Sequence, residues 1–170
     1  QQRIYVQAAR RTDGQLVIES QLGHYQAAIT SPTPDHRFEF VLHAVAESYN
    51  EAAGLTLTIV SDFEHTLGLG SSAAVSVATI AAIALLKHQL LYPQAVMHQA
   101  IALVRHVQGR GSGADVAASA LGGIVEYTAN PINAKSVTLP DHVWQQAPAI
   151  CLVYCGYKTP TPAVIAQVAS

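Results

Sequence analysis

The segment Gly68–Leu86 constrains the fold more than any other part of the chain, because it contains no charged residue and is rich in Ala, Val and Ile. A helix that crosses a bilayer needs about 20 consecutive apolar residues. The segment barely reaches that length, and hydroxyl side chains dilute its first half: Ser71, Ser72, Ser76 and Thr79. We therefore predict a helix over Ala73–Lys87 that is buried in a protein core, and we predict no membrane partner.

The composition fits a single folded domain over residues 1–170. Half of the residues (50%) are hydrophobic and 12% are charged, and this supply of apolar surface excludes intrinsic disorder. The formal net charge is -2, and the 9 lysine and arginine residues are scattered along the chain. Binding to a nucleic-acid backbone needs a clustered basic face, so we predict no nucleic-acid partner.

The two cysteines indicate the redox compartment of the protein. Cys151 and Cys155 lie in one apolar run, and in a strand they would be about 13 Å apart at about 3.3 Å per residue. A disulfide needs Cα atoms within about 7 Å, so we predict reduced thiols and a cytoplasmic protein. The chain starts at Gln1 without an initiator Met, and we expect a domain that is truncated at both ends.

Hydrophobic periodicity and turn residues predict a mixed α/β domain. The predicted strands are Arg3–Arg10, Gln15–Ser20, His24–Thr30, Leu55–Val60, Ile124–Thr128, Ser136–Leu139 and Ile150–Tyr154. The predicted helices are Phe38–Tyr49, Ala73–Lys87, Gln94–Val107, Asp115–Leu121 and Pro162–Val168. We expect Thr12-Asp13-Gly14 to join the first two strands as a hairpin, Asp35 to cap the first helix, and Gly54 to end it.

The first glycine loop, Gly68-Leu-Gly-Ser-Ser72, connects a predicted strand to a predicted helix. Glycines let backbone N–H groups approach an anion closely, and a helix N-terminus adds about half a positive charge. Such a loop can bind a triphosphate; a tight turn with positive φ at Gly70 and Ser71 as N-cap explains it equally well. The P-loop signature Gly-x-x-x-x-Gly-Lys-Ser/Thr does not match, because no Lys follows Gly70. The dinucleotide-binding signature Gly-x-Gly-x-x-Gly does not match either, because Ala73 occupies its third glycine position.

The second glycine loop, Gly109-Arg-Gly-Ser-Gly113, precedes an acidic residue at the start of a predicted helix. Asp115 can be a helix N-cap, and by itself the sequence favours that interpretation. The functional alternative is a carboxylate beside a phosphate site, where it would orient or deprotonate a hydroxyl nucleophile.

Both loops resemble motifs of a known family. Gly68-Leu-Gly-Ser-Ser-Ala-Ala74 resembles the ATP-binding signature of the GHMP kinases, which include galactokinase, homoserine kinase, mevalonate kinase and phosphomevalonate kinase. Gly109-Arg-Gly-Ser-Gly-Ala-Asp115, continued by Val116–Gly123, resembles their second motif, which carries the catalytic aspartate. The likeness extends from about Arg3 to the end of the chain. It implies an α+β fold, the two-layer α/β sandwich of the GHMP-kinase N-terminal domain (ribosomal-protein-S5-like).

The resemblance implies a kinase that uses ATP and Mg²⁺ to phosphorylate a small-molecule acceptor, with a homodimer left open. The ATP phosphates would bind at Gly68, Leu69, Gly70, Ser71, Ser72 and Ala73. Ser72 would also be the hydroxyl nearest the metal ion. Asp115 would be the catalytic residue, as general base or orienting group. The acceptor would bind along Gly111, Ser112 and Gly113.

The chain departs from the family pattern at several places. Glu64 and Thr66 stand where the family usually has Pro and a small residue before the first loop. Val104 falls at about the position where mevalonate kinases carry a Glu ligand for Mg²⁺, so that ligand is absent or comes from elsewhere. By the resemblance, we expect the strand that holds a family lysine and the C-terminal domain that closes the cleft to lie outside this chain.

The acceptor is predicted only by a narrow margin. The Gly-Ser-Gly sequence before Asp115 looks more like that of phosphomevalonate kinases, and the missing Glu at Val104 is unlike mevalonate kinases, so the resemblance implies phosphomevalonate ahead of mevalonate. Three alternatives stay open: a diphosphomevalonate decarboxylase on the same fold, a non-catalytic relative that binds nucleotide and metabolite, and a structural domain whose loops are only turns.

Overall fold

The computed structural model describes residues 2–140, 142–143, 153–154 and 156. Within these residues the strands are β1 (Ile4–Arg11), β2 (Gln15–Ser20), β3 (Gly23–Ala28), β4 (Gly54–Ser61), β5 (Ile124–Ala129) and β6 (Ile132–Val137). The α-helices are α1 (Glu39–Ser48), α2 (Ser71–Leu86), α3 (Pro93–Gln108) and α4 (Ala114–Leu121). A short 3-10 turn at His65–Leu67 precedes α2.

One face of the larger sheet is covered by helices, as the predicted two-layer α/β fold requires. Alternate residues of β4 point into the core, where Leu55 and Leu57 are fully buried beside Ile18 of β2. Phe38, just before α1, and Ile83 of α2 pack on the same face. A second cluster of buried side chains joins α3 and α4 to the rest of the core: Ile80, Met97, Ala100, Ile101, Leu103, Val104 and Val116.

The expected hairpin between the first two strands is wrong. The sheet order is β1-β4-β2-β3, so β4 lies between β1 and β2, antiparallel to β1 and parallel to β2. Gly54 does not end a helix but begins β4. A Cβ placed there would lie 2.6 Å from the Gln15 carbonyl oxygen and 2.9 Å from the Arg11 Cβ. Only a glycine fits where β4 enters between the two strands.

Two further local predictions need correction. Asp35 does not cap α1, because its carboxylate accepts a hydrogen bond from the Arg37 backbone N–H and the N-cap residue is Phe38. The strand expected at Ser136–Leu139 is β6, which begins earlier. It pairs antiparallel with β5, with Ile124 opposite Val137, because the chain reverses at Asn130-Pro131.

Some predictions fall on parts of the chain that the structure does not describe. They are the helix Pro162–Val168, both cysteines and most of the strand Ile150–Tyr154. The buried helix predicted from the uncharged segment is confirmed as α2, with Ala73, Ile80 and Ile83 buried. Among the described helices, none has the length and apolar character to cross a bilayer.

Candidate active site

The first loop, residues 68–72, follows the 3-10 turn at His65–Leu67 and leads into α2 through two left-handed glycines. Gly68 has φ 72° and Gly70 has φ 74°, a region that side-chain-bearing residues avoid. Gly70 is the N-cap residue of α2. Ser71 is therefore not the cap that the turn interpretation expects, and its hydroxyl donates to the His65 carbonyl at 3.4 Å.

The N-terminus of α2 is open to an anion. Its N-cap residue, Gly70, has no side chain that could cap the helix. The first N–H groups of a helix lack intrahelical partners and carry partial positive charge. Leu69 is 38% exposed. Ala73 is fully buried in the core, so only the backbone of Ala73 could contact a bound phosphate.

The second loop, residues 109–113, uses glycines for both conformation and space. Gly109 ends α3 with φ 73°, and Gly113 is the N-cap residue of α4 with φ 90°. A Cβ on Gly113 would lie 2.8 Å from the Tyr127 hydroxyl and 2.9 Å from Ile101 Cγ1. The loop is thus packed tightly against α3 and β5 where it enters α4.

Two donors that the sequence interpretation missed hold this loop. Arg105 of α3 donates from Nε to the Gly111 carbonyl and from Nη2 to the Ser112 carbonyl, each at 3.0 Å. The Tyr127 hydroxyl also donates to the Ser112 carbonyl. No sequence signal could have identified them, because the acceptors are backbone atoms.

Asp115 lies on the first turn of α4, but it is not the N-cap. That position belongs to Gly113, and the Asp115 carboxylate accepts from the adjacent Val116 N–H at 2.9 Å. The helix-cap interpretation of Asp115 is therefore wrong. A Cβ placed on Gly70 would lie 3.8 Å from the Asp115 Cβ. The fold thus brings the first loop and the aspartate of the second motif into van der Waals range.

A cavity of about 270 Å³ lies beside Asp115. It is lined by Ile101, Val104, Arg105 and Gln108 of α3 and by residues 111–115. Val104 is 4% exposed, so the position where the resemblance expects a Glu presents hydrocarbon to this cavity. The charged side chains in the lining are Arg105 and Asp115, one of each sign.

The described residues contain no group of three or more His, Cys, Asp or Glu side chains that could hold a metal ion. Mg²⁺ prefers oxygen ligands and is usually bound through one or two carboxylates together with substrate phosphates and water. The Ser72 hydroxyl is an oxygen ligand, and the phosphates of a nucleotide and water would supply the others. The site therefore fits a Mg²⁺ ion that arrives with a nucleotide, rather than one held by protein ligands alone.

Comparison with known proteins gives a consistent result. A family profile described as the GHMP kinases N terminal domain matches residues 37–123. The chain is 31% identical over 140 residues to the mevalonate kinase of Pyrococcus abyssi, covering 74% of this chain and 42% of that protein. It is 32% identical over 120 residues to the phosphomevalonate kinase of a Streptomyces species, covering 69% of this chain and 32% of that protein. The chain thus spans less than half the length of these relatives.

Solved structures show the same fold. The crystal structure of the Methanococcus jannaschii mevalonate kinase superposes with a TM-score of 0.70 at 17% identity, covering 78% of this chain and 45% of that one. The Streptococcus pneumoniae phosphomevalonate kinase, in complex with phosphomevalonate and AMPPNP, gives a TM-score of 0.57 at 18% identity, covering 73% and 41%.

Proposed function

The chain belongs to the GHMP kinase family, and from that premise we propose that the protein transfers the γ-phosphoryl group of ATP to a small-molecule acceptor of the mevalonate pathway. Among such acceptors we propose phosphomevalonate ahead of mevalonate. The support is the Gly-Ser-Gly sequence before Asp115 and the apolar Val104 in the cavity. We also propose that residues 1–170 are the N-terminal ATP-binding domain of a longer kinase.

The observation that carries the proposal is the approach of Gly70 to Asp115. Phosphoryl transfer needs few covalent steps from the protein, because positioning and charge stabilisation supply most of the catalysis. The uncapped N-terminus of α2 would receive the ATP phosphates, and Asp115 would receive the acceptor. Because Gly70 lies close to Asp115, the γ-phosphorus and the acceptor atom can be held next to each other.

In the proposed reaction, an acceptor oxygen forms a bond to the γ-phosphorus while the bond from that phosphorus to the β,γ-bridging oxygen breaks and ADP leaves. A hydroxyl acceptor would pass its proton to the Asp115 carboxylate. A phosphate acceptor, with a second pKa of about 6, is already mostly ionised at neutral pH, and Asp115 would then orient it. Ser112 and Asp115 both line the cavity.

Ser72 is the residue we propose to hold Mg²⁺. When bound with ATP, the ion would neutralise negative charge on the phosphates. The aliphatic Val104 side chain adds no ligand at the cavity wall, so the nucleotide's own oxygens would complete the coordination.

The test is ADP release by the full-length protein with Mg-ATP and a panel of mevalonate, phosphomevalonate, diphosphomevalonate, homoserine and galactose, with products identified by mass spectrometry. Asp115→Asn should lower kcat by about 10²-fold if Asp115 orients a phosphate acceptor and by up to about 10⁴-fold if it is the general base for a hydroxyl, and leave the Kd for ATP nearly unchanged. Asp13→Asn makes the same chemical change in the turn between β1 and β2 and should keep the wild-type kcat. Wild-type turnover by Asp115→Asn would remove Asp115 from the mechanism.

A non-catalytic nucleotide-binding relative is the second candidate, because the cavity wall carries Val104 instead of a carboxylate. Such a protein would bind ATP and turn over no member of the panel. The same panel separates the diphosphomevalonate decarboxylase, since that enzyme would release CO₂ from diphosphomevalonate. Failure to bind ATP would mean that both glycine loops are only turns.

A further inference from the structure

Two side chains outside both family motifs converge on the second loop. The Arg105 guanidinium donates to two successive carbonyls, those of Gly111 and Ser112, each at 3.0 Å. The Tyr127 hydroxyl donates to the same Ser112 carbonyl. Arg105 belongs to α3 and Tyr127 to β5, so two separate elements of the fold hold one short stretch of backbone.

This stretch needs external support because of its composition. Gly109, Gly111 and Gly113 all have positive φ, and glycine loses more conformational freedom on ordering than any other residue. Hydrogen bonds from a charged guanidinium are stronger than neutral ones, and the planar fork can hold two acceptors in fixed positions. None of the ion pairs found among the described residues includes Arg105, so its hydrogen bonds serve the loop and not a carboxylate.

The supported backbone leads directly to Asp115. Gly113 is wedged between Tyr127 and Ile101 and begins α4, and Asp115 follows on the first turn of that helix. From these contacts we infer that Arg105 and Tyr127 are positioning residues, which fix the second loop so that Asp115 faces the first loop. The inference rests on the function proposed above, because Asp115 is its reactive group.

Arg105 also lines the cavity beside Asp115, so a direct contact with an anionic acceptor is the competing explanation. The two explanations predict different kinetics. A positioning residue keeps Asp115 aligned, so its loss lowers kcat with little change in the KM for the acceptor. A residue that binds the acceptor uniformly raises that KM when it is removed and leaves kcat unchanged.

The experiment uses the full-length protein with Arg105→Gln, Arg105→Lys and Tyr127→Phe, and reports kcat, the acceptor KM and the Kd for ATP. We expect Arg105→Gln to lower kcat by about 10²-fold, the effect of a misplacement of about 1 Å. Arg105→Lys should lower kcat by less than Arg105→Gln does, because the ammonium group keeps the positive charge. It should still lower kcat, because it lacks the planar fork that holds two carbonyls. The Kd for ATP should stay within about twofold of the wild-type value. The kcat losses of Arg105→Gln and Tyr127→Phe should not be additive in the double variant, since both side chains hold the Ser112 carbonyl.

Arg37→Gln is the matched control. The Arg37 guanidinium also donates to a backbone carbonyl, that of Leu22 at 3.2 Å, but it lies near β3 and α1 rather than at the second loop. Its loss should leave kcat unchanged. If Arg105→Gln and Tyr127→Phe both retain the wild-type kcat, or if Arg105→Gln raises only the acceptor KM, the inference is overturned.

Amide hydrogen exchange separates this inference from the proposed function. A wild-type protein that turns over none of the acceptors would contradict the proposed function alone. The inference would still predict faster exchange across residues 109–115 in Arg105→Gln and Tyr127→Phe than in wild type and Arg37→Gln. Unchanged exchange there would refute the positioning role whatever the activity, and Tyr127→Phe keeps the test available if Arg105→Gln fails to fold.

Discussion

Replacing Gly113 by Ala tests how tightly the second loop is packed. Gly113 has φ 90°, and an L-residue in the left-handed region costs about 1–2 kcal/mol. The new methyl group would lie 2.8 Å from the Tyr127 hydroxyl and 2.9 Å from Ile101 Cγ1, closer than real Cβ contacts. Overpacking of this kind costs about 1–3 kcal/mol. We expect Gly113→Ala to lower the free energy of unfolding by about 2–5 kcal/mol in total.

Gly68→Ala separates backbone strain from packing. Gly68 has φ 72°, and a Cβ built on it meets no atom within 4 Å. Its substitution should therefore cost only the strain of about 1–2 kcal/mol. The difference between the two variants, about 1–3 kcal/mol, isolates the contacts with Tyr127 and Ile101.

The assay is urea unfolding of wild type, Gly68→Ala and Gly113→Ala, followed by circular dichroism, with thermal midpoints as a second measure. A difference of 1 kcal/mol shifts the midpoint by about 2–4 °C in a domain of this size, so Gly113→Ala should melt about 2–12 °C below Gly68→Ala. Equal losses in the two variants would refute the reasoning, because the packing against α3 and β5 would then contribute nothing.

Two further predictions follow from the site and from the surface charges. Ser72→Ala should raise the KM for Mg-ATP, measured by steady-state kinetics, by about tenfold, because the loss of one hydrogen bond costs about 1.4 kcal/mol. Unchanged kinetics would mean that the first loop does not bind the nucleotide as proposed. The Arg37 guanidinium hydrogen-bonded to Asp35 lowers the pKa of that carboxyl from 3.8 to about 2. The unfolded state therefore binds this proton first, and the contribution of the pair is present above about pH 4 and lost as the pH falls towards 2. Asp35→Asn should flatten that part of the curve of unfolding free energy against pH, and parallel curves for the two proteins would contradict it.

Local signals predicted most of the elements correctly. The alternation Leu55–Val60 identified β4, and the uncharged segment identified α2, because both patterns reflect burial of one face or of a whole helix. The pairing of strands could not be predicted in the same way. The Asp13 turn does reverse the chain, with its carboxylate accepting from the Gln15 N–H at 3.1 Å, but β4 enters between β1 and β2 from a distant part of the sequence. Turn chemistry fixes a local reversal and leaves the pairing partner open.

Some residues of the candidate site could likewise be predicted from the sequence, and others could not. Glycine spacing and the position of Asp115 are written in the sequence, and the structure brings Gly70 and Asp115 together. Arg105 and Tyr127 carry no such pattern, because their partners are backbone carbonyls that every residue possesses. Support of a loop through its backbone depends on how α3 and β5 are placed, and that placement is a property of the whole core.

The two glycine loops look alike in sequence, yet the helices that follow them differ at their N-termini. At α4, the Ser112 hydroxyl accepts from the Ala114 N–H at 3.3 Å and the Asp115 carboxylate accepts from the Val116 N–H at 2.9 Å. The N-cap residues Gly70 and Gly113 both lack a capping side chain, but at α2 the nearby Ser71 hydroxyl donates to the His65 carbonyl at 3.4 Å. Polar groups already satisfied within the protein gain little from a ligand, whereas uncapped N–H groups gain a partner when an anion binds. This difference favours α2 as the helix that receives the ATP phosphates and α4 as the helix that carries the reacting carboxylate, a distinction that spacing alone leaves open.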